Sequence, residues 1–200
     1  MTINLASIPP DGRHRYAIRV YYEDTDAGGV VYHATYLRYA ERARTEALRD
    51  LGVPHADLVD RFGVMFMVRR VEVDYERGAR LDAALTVETE VLEVGGASVR
   101  LRQTVRETGG PGGDDDAGAV CAVLAVRLAC VRLDGGKPGR IPPAWRERLA
   151  AMRSRRAADT PDLGGSGRHG PIRPGRFVRH AFGADGPVEP GHDEKRGKAT

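Results

Sequence analysis

Apolar and polar residues alternate along residues 16–22, so that Tyr22 shares a face with the apolar residues before it. This two-residue period predicts a half-buried strand with Tyr22 on its inward face. From residue 36 to residue 51 the apolar side chains instead recur every three or four positions, which predicts an amphipathic helix. Gly52 and Pro54 favour the end of that helix.

The chain that follows, up to residue 152, is mostly strand-like. Alternating or wholly apolar segments predict four further strands, together with two short helices. The predicted strands cover residues 64–75, 85–94, 97–107 and 119–131, and the predicted helices cover 55–62 and 142–152. Gly95-Gly96 predicts a tight two-residue hairpin turn. Hairpin connections and one long helix indicate an α+β fold, with a five-stranded antiparallel sheet wrapped around that helix.

Composition indicates one folded domain followed by a basic extension. The 200 residues are 41% hydrophobic and 30% charged, which is ordinary for a globular protein. From residue 153 onward the chain carries 10 Lys and Arg against 6 Asp and Glu, with 9 Gly and 5 Pro. We therefore predict a folded domain over residues 13–152 and a disordered tail over residues 153–200. The near-neutral charge of the domain argues against nucleic-acid binding.

Two features of the sequence concern the compartment. Cys121 and Cys130 lie nine positions apart in one predicted strand, too far for a disulfide, which fits a reducing environment. The first 14 residues lack the basic start and apolar run of a signal peptide, and no segment has the uninterrupted apolar length of a transmembrane helix. We expect a cytoplasmic protein.

Residues 21–33, Tyr-Tyr-Glu-Asp-Thr-Asp-Ala-Gly-Gly-Val-Val-Tyr-His, join the first strand to the long helix and hold the richest chemistry. The acids offer a base or a nucleophile, and the glycine pair lets the backbone approach a ligand. The helix start offers N–H groups to a developing negative charge. A calcium loop counted from Asp24 fails, because Gly28 and Thr35 occupy the positions of a side-chain oxygen ligand and of the bidentate Glu. No metal and no other cofactor is expected.

Residues 21–33, with Tyr36-Leu37, Glu-Arg-Ala-Arg-Thr-Glu at 41–46 and Ala-Arg-Leu-Asp at 79–82, resemble the YbgC-type acyl-CoA thioesterases associated with the bacterial Tol-Pal system. Those enzymes belong to the 4-hydroxybenzoyl-CoA thioesterase family. The resemblance extends from about residue 15 to about residue 149 and implies the hotdog fold. It also implies a homo-oligomer, a dimer or a tetramer, because the sites of that family lie at subunit interfaces.

The resemblance implies roles for three residues. The second aspartate of the family's Asp-x-Asp pair is catalytic and corresponds to Asp26, and His33 and Tyr22 match the same pattern. Chemically, Asp26 is either a general base or a nucleophile, and His33 either orients water or the carbonyl, assists proton transfer, or only begins the helix. Arg69 and Arg70 are either ligands of the CoA phosphates or ordinary exposed strand arginines.

The predicted function is therefore hydrolysis of short- to medium-chain acyl-CoA to free acid and CoA, with longer or aromatic acyl groups as further candidates. An acyl carrier protein is a second candidate carrier of the acyl group. Two alternatives stay open. One is a non-catalytic module that binds acyl-CoA or an acyl carrier protein in envelope or phospholipid metabolism, and the other is a hotdog hydratase.

Overall fold

The computed structural model describes residues 11–108 and 118–153. Its elements are β1 (His14–Arg19), α1 (Thr35–Asp50), α2 (His55–Phe62), β2 (Val64–Tyr75), β3 (Ala84–Val94), β4 (Ser98–Glu107), β5 (Val120–Arg132) and α3 (Pro143–Ala151). The predicted tail beyond residue 153 lies outside the described residues. Within the described ranges, every helix is too short or too polar to cross a membrane.

The five strands form one sheet in the order β1-β3-β4-β5-β2. Every neighbouring pair is antiparallel, so the sheet predicted from hairpin connections is confirmed. The strands β1 and β2 are its two edges. β1 and β2 are also the strands that flank the two helices α1 and α2 along the chain, which places both helices between opposite edges of the sheet.

Helix α1 covers one face of the sheet with a side made largely of small residues. Ala40, Ala43 and Ala47 recur at three- and four-residue steps and are buried, which brings the helix backbone close to the strands. The helix packs against β1, β3 and β4. Gln103 of β4 joins the two layers, because its Nε2 donates to the Ala40 carbonyl at 2.8 Å. The expected arrangement, a sheet around a central helix, is confirmed.

A single residue, Gly63, separates α2 from β2. Gly63 has a φ of 61°, and its N–H donates to the Val59 carbonyl at 3.0 Å, which ends α2 in the left-handed conformation that glycine favours. Because this stop signal is local, the predicted helix 55–62 and the predicted strand 64–75 agree with the observed α2 and β2.

β1 ends earlier than predicted. Instead of continuing to residue 22, the chain enters a 3₁₀ turn over Tyr22–Asp24. Tyr22 is 81% exposed, so its predicted inward orientation is wrong. The cause is short-range: the Asp24 carboxylate accepts a hydrogen bond from the Tyr21 N–H at 2.9 Å, and such a bond favours a turn over a strand.

The β3–β4 hairpin also turns one residue later than predicted. The Gly95 N–H donates to the Ser98 carbonyl at 2.8 Å, which puts Gly96 and Ala97 at the centre of the turn. Neither Gly95 nor Gly96 has a positive φ. The turn is therefore not of the primed type that the Gly-Gly pair predicts.

The face of the sheet opposite α1 carries a network of ion pairs. The arginines Arg13, Arg102 and Arg106 surround the carboxylates of Glu88 and Glu90. These two glutamates are only 7% and 5% exposed. On this face, buried charge is therefore matched by opposite charge.

Candidate active site

Asp26 lies in a tight turn shortly before α1. Its N–H donates to the Val30 carbonyl at 3.0 Å, and its carbonyl accepts from the Gly29 N–H at 2.9 Å. Gly29 has a φ of 70°, a conformation that favours glycine. The carboxylate oxygen Oδ1 accepts a hydrogen bond from the Gly28 N–H at 2.8 Å. Since Asp26 is exposed, the turn fixes its carboxylate where water or a substrate can reach it.

Asp24, two residues earlier, has a structural position instead. It is 6% exposed, its Oδ2 accepts from the Tyr21 N–H at 2.9 Å, and its carbonyl accepts from the Tyr32 N–H at 2.9 Å. Burial and the nearby Asp24 carboxylate raise the pKa of the Tyr39 phenol above its ordinary value. The two aspartates are therefore in different environments: Asp24 holds the loop, and the Asp26 carboxylate is available for chemistry.

The Asp26 turn is attached to the segment before β3. The Val31 N–H donates to the Ala79 carbonyl at 2.8 Å, and Val30 forms a bridge with the next residue of that segment. A Cβ at Gly78 would lie 3.0 Å from Val30 Cγ1, so glycine permits the close approach. The Ala79 N–H in turn donates to the Tyr36 hydroxyl of α1 at 3.1 Å. These contacts connect the Asp26 turn to the first turn of the helix.

Helix α1 begins next to this turn without a side-chain cap. Ala34 is its N-cap residue and makes no capping hydrogen bond through its side chain. Two N–H groups of its first turn already have partners, because the Thr35 N–H donates to the Tyr32 carbonyl at 2.8 Å and the Leu37 N–H donates to the Ala34 carbonyl at 3.2 Å. The turn carries the positive end of the helix dipole. His33 directly precedes it, exposed, with its ring 4.3 Å from that of Tyr32 and 6.4 Å from that of Tyr75 between centroids. This helix start favours a bound negative charge.

The residues predicted for catalysis lie on one continuous loop. Asp26 occupies its central turn, and His33 lies at its end beside α1. Tyr22 lies at its beginning, with its side chain largely in solvent. The structure therefore places all three on the surface at the same end of α1.

The arginines predicted to bind substrate lie on the edge strand β2. Arg69 and Arg70 are both exposed, and Arg70 forms an ion pair with Glu72. The same strand ends at Tyr75, whose hydroxyl donates to the His33 carbonyl at 3.0 Å. β2 therefore leads from the two arginines to the loop that contains Asp26 and His33.

Tyr75 was not singled out from the sequence, where it is only the last residue of a predicted strand. Its contact with His33 joins residues 42 positions apart, and no local sequence pattern predicts such a contact. Burial raises the pKa of the Tyr75 phenol, so the hydroxyl stays a donor at neutral pH. In the described part of the chain, no group of three or more His, Cys, Asp and Glu side chains is arranged to hold a metal ion.

A family model described as the thioesterase-like superfamily matches residues 20–149. The match contains the Asp26 turn, α1 and four of the five strands. The chain belongs to the thioesterase-like superfamily.

Relatives within the superfamily confirm the resemblance to YbgC-type sequences. A Haemophilus influenzae protein named acyl-CoA thioesterase YbgC is 43% identical over 133 residues, which cover 66% of this chain and 90% of that protein. An Escherichia coli O6:H1 protein named acyl-CoA thioester hydrolase YbgC is 47% identical over 91 residues, which cover 46% of this chain and 67% of that protein.

Solved structures of similar proteins share the fold. A probable thioesterase from Bartonella henselae has a TM-score of 0.57 at 34% identity, covering 65% of this chain and 99% of that one. Slr0204 of Synechocystis, a 1,4-dihydroxy-2-naphthoyl-CoA thioesterase, has a TM-score of 0.61 at 17% identity, covering 69% of this chain and 96% of that one. The second likeness concerns the fold alone. The expected hotdog fold of this superfamily member is confirmed.

Proposed function

We propose that this member of the thioesterase-like superfamily hydrolyses acyl-CoA thioesters to a free acid and CoA. The observation that carries the proposal is the exposed Asp26 carboxylate, fixed on a turn that is hydrogen-bonded to the segment beside the uncapped start of α1. The 43% identity to a protein named acyl-CoA thioesterase supports this substrate class.

In the proposed reaction, the thioester carbonyl oxygen becomes an oxyanion next to the N–H groups at the start of α1. Each such donor stabilises the transition state by roughly 3 kcal/mol in a site from which water is excluded. Asp26 then either takes a proton from an attacking water or attacks the carbonyl carbon, forming an anhydride that water hydrolyses. Both routes break the carbon–sulfur bond and release CoA as a thiolate, which takes up the proton lost by the water. Because a thiolate is a good leaving group, a weak carboxylate is sufficient as the base or the nucleophile.

We assign supporting roles to two further residues of the loop. His33, beside the helix start, orients the water or the thioester carbonyl. The exposed hydroxyl of Tyr22 offers a hydrogen-bond donor to bound substrate. Both roles are supported by the shared loop and by the match of these positions to the family pattern.

We place the CoA phosphates along β2, at Arg69 and Arg70. Exposed guanidinium groups bind phosphate oxygens through paired N–H donors. Arg70 is paired with the carboxylate of Glu72 in the same strand. A phosphate therefore competes with Glu72 for Arg70, and it meets less competition of this kind at Arg69.

The direct test measures the release of free thiol from acyl-CoA substrates of increasing chain length. A chromogenic reagent that reacts with thiols follows the release. We expect thiol release that is proportional to enzyme concentration. Thermal stabilisation by acyl-CoA without any thiol release would instead identify a binding module. Hydration of enoyl-CoA without thiol release would identify a hydratase.

Gly28→Ala is expected to lower kcat/KM by roughly three- to tenfold. An added Cβ would lie 3.0 Å from Asp26 Oδ1, so the carboxylate has to shift by a few tenths of an ångström. A displacement of about 1 Å costs on the order of a hundredfold, and a smaller displacement costs less. Gly96→Ala in the β3–β4 hairpin is the control, because its Cβ would meet no atom within 4 Å. Equal activity of both variants and wild type would show that Gly28 does not set the position of Asp26.

We also propose that the protein self-associates through β2. On this edge strand the apolar side chains of Met65, Met67 and Val68 are 36%, 51% and 49% exposed. In a monomer, an apolar edge strand leaves apolar side chains and unpaired backbone N–H and C=O groups exposed to water. Such a strand is suited to pairing with the same strand of a second copy. Such pairing joins two sheets into one and brings the Tyr75 end of one β2 towards the Val64 end of the other.

Introducing charge on this edge is expected to produce monomers. The double substitution Met67→Asp and Val68→Asp adds two like charges to each copy of the proposed contact, which opposes association. Light scattering on a sizing column gives the mass of wild type, a dimer or a tetramer, and of the variant. Ala17→Asp on β1, the other edge, is the matched control and keeps the wild-type mass. A double variant of unchanged mass would place the interface elsewhere.

A further inference from the structure

A pocket of about 450 Å³ lies between α1, α2, α3, β2 and the covered face of the sheet. Most of its lining is apolar and includes Leu48, Phe66, Leu101, Leu128 and Met152. A water molecule occupies about 30 Å³ in the liquid, and a methylene group is of similar size, so the pocket has room for on the order of ten carbon atoms. Its size and lining fit a medium-length acyl chain.

One wall of this pocket is polar. Glu41 and Arg44 of α1 and His55 of α2 line it. The Arg44 Nη1 donates to Gln103 Oε1 at 2.7 Å, and Gln103 Nε2 donates to Thr89 Oγ1 at 2.9 Å. These bonds fix the amide and, through it, the guanidinium. Since a guanidinium has five N–H donors and Gln103 is its one hydrogen-bond partner in the part of the chain that the structure describes, most of its donor capacity is open to a ligand.

The carboxylate whose charge acts on Arg44 is that of Glu41, which lies one turn earlier on α1 and also lines the pocket. On the opposite face of the sheet, arginines pair with Glu88 and Glu90. Across residues 11–108 and 118–153, by contrast, no carboxylate oxygen forms a salt bridge with Arg44 within 4.0 Å. Burial lowers the pKa of the Arg44 guanidinium, and the charge of Glu41, one turn earlier, opposes that effect. A guanidinium still stays charged at neutral pH, and charge in an apolar pocket is unfavourable until it is paired.

His55 adds an uncharged hydrogen-bonding group beside this charge. Burial lowers the pKa of His55, the charges of Arg44 and Arg49 lower it further, and Glu41 opposes them. The imidazole is therefore neutral at about pH 7. The carboxylate of Glu41 in the same wall offsets part of the Arg44 charge. Because that carboxylate forms no salt bridge with Arg44 within the described residues, the guanidinium N–H groups stay open to an anionic ligand group.

We propose that this pocket binds the acyl chain of the thioester substrate and that Arg44 binds a carboxylate at the far end of that chain. The preferred substrates are then ω-carboxyacyl-CoA thioesters of medium length, and Arg44 determines that preference. The assignment rests on the proposed hydrolysis of acyl-CoA. A planar guanidinium binds both oxygens of a carboxylate in a charge-assisted pair, whereas an alkyl end leaves the charge unpaired.

The test compares octanoyl-CoA with suberyl-CoA, which carries a second carboxylate at the end of the same eight-carbon chain. We expect kcat/KM to be at least about tenfold higher for suberyl-CoA, as is typical for a hydrogen bond to a charged group. Arg44→Met should remove this preference, so that the ratio of kcat/KM for suberyl-CoA to that for octanoyl-CoA falls to about one. Arg49→Met, an exposed arginine on the same helix, is the control and keeps the preference.

A binding measurement keeps the test independent of the folding of Arg44 variants. In the Asp26→Asn protein, calorimetry should give a Kd about tenfold lower for suberyl-CoA than for octanoyl-CoA. Equal kcat/KM for the two substrates, or a preference that survives Arg44→Met, would overturn the assignment while thioester hydrolysis itself stands. Release of thiol from neither substrate would instead overturn the proposed function, and this assignment with it.

Discussion

Asp26→Asn is expected to lower kcat/KM for acyl-CoA hydrolysis by about a hundredfold or more. Asparagine keeps the shape of the side chain, and its Oδ1 can still accept the hydrogen bond from the Gly28 N–H. It cannot act as a base towards water or attack a carbonyl carbon. Since Asp26 is exposed, the melting temperature should change little. Thiol-release rates, measured together with thermal melting, separate a loss of chemistry from a loss of fold.

Glu23→Gln is the matched control for this experiment. It makes the same carboxylate-to-amide change at an exposed position three residues earlier on the same loop. We expect its kcat/KM to stay within about twofold of wild type. A fully active Asp26→Asn enzyme would show that another group is the catalytic carboxylate. Equal losses in both variants would show that the net charge of the loop matters and that Asp26 has no special role.

Gln103→Leu is expected to lower the free energy of unfolding by about 2–4 kcal/mol. Gln103 is fully buried, and its amide bonds to Arg44, to Thr89 and to the carbonyl of Ala40. Leucine fills a similar volume, so the loss comes from buried groups left without partners, not from a cavity. Urea denaturation followed by circular dichroism measures the change.

Thr104→Val is the control for Gln103→Leu. It tests whether replacing any polar residue of β4 by an apolar one lowers the stability, or whether the loss is specific to the buried amide of Gln103. Thr104 is the next residue of β4 and lies on the opposite face of the sheet, where it is only partly buried. We expect a change of about 0.5 kcal/mol or less. If Gln103→Leu is as stable as wild type, water in the adjoining pocket has replaced the lost amide, and the layers do not depend on Gln103.

Much of the fold could be predicted because its signals are local. The alanine stripe of α1 and the stop at Gly63 depend on residues within one or two helical turns, and the predicted elements agree with them. The Asp26 turn was also visible as a junction, because its acid, its glycines and the helix start follow one another in the chain. The catalytic roles of Asp26, His33 and Tyr22 remain predictions.

The features that could not be predicted depend on contacts between distant segments or on a competing local bond. Tyr22 continues the strand period, but the hydrogen bond from the Tyr21 N–H to Asp24 turns the chain away. The bond between Tyr75 and His33 joins residues from two separate elements. The pocket that contains Arg44 likewise exists only after helices and strands have packed, so it could not be predicted from the sequence of any single segment.

The junction at Gly63 joins the two walls of one pocket. The helix before it contributes His55 and Val59 to that pocket, and the strand after it contributes Met67 and Val68 both to the pocket and to the proposed contact between copies. The proposed substrate site and the proposed interface therefore share two side chains of β2, and a substitution at either side chain acts on both proposals.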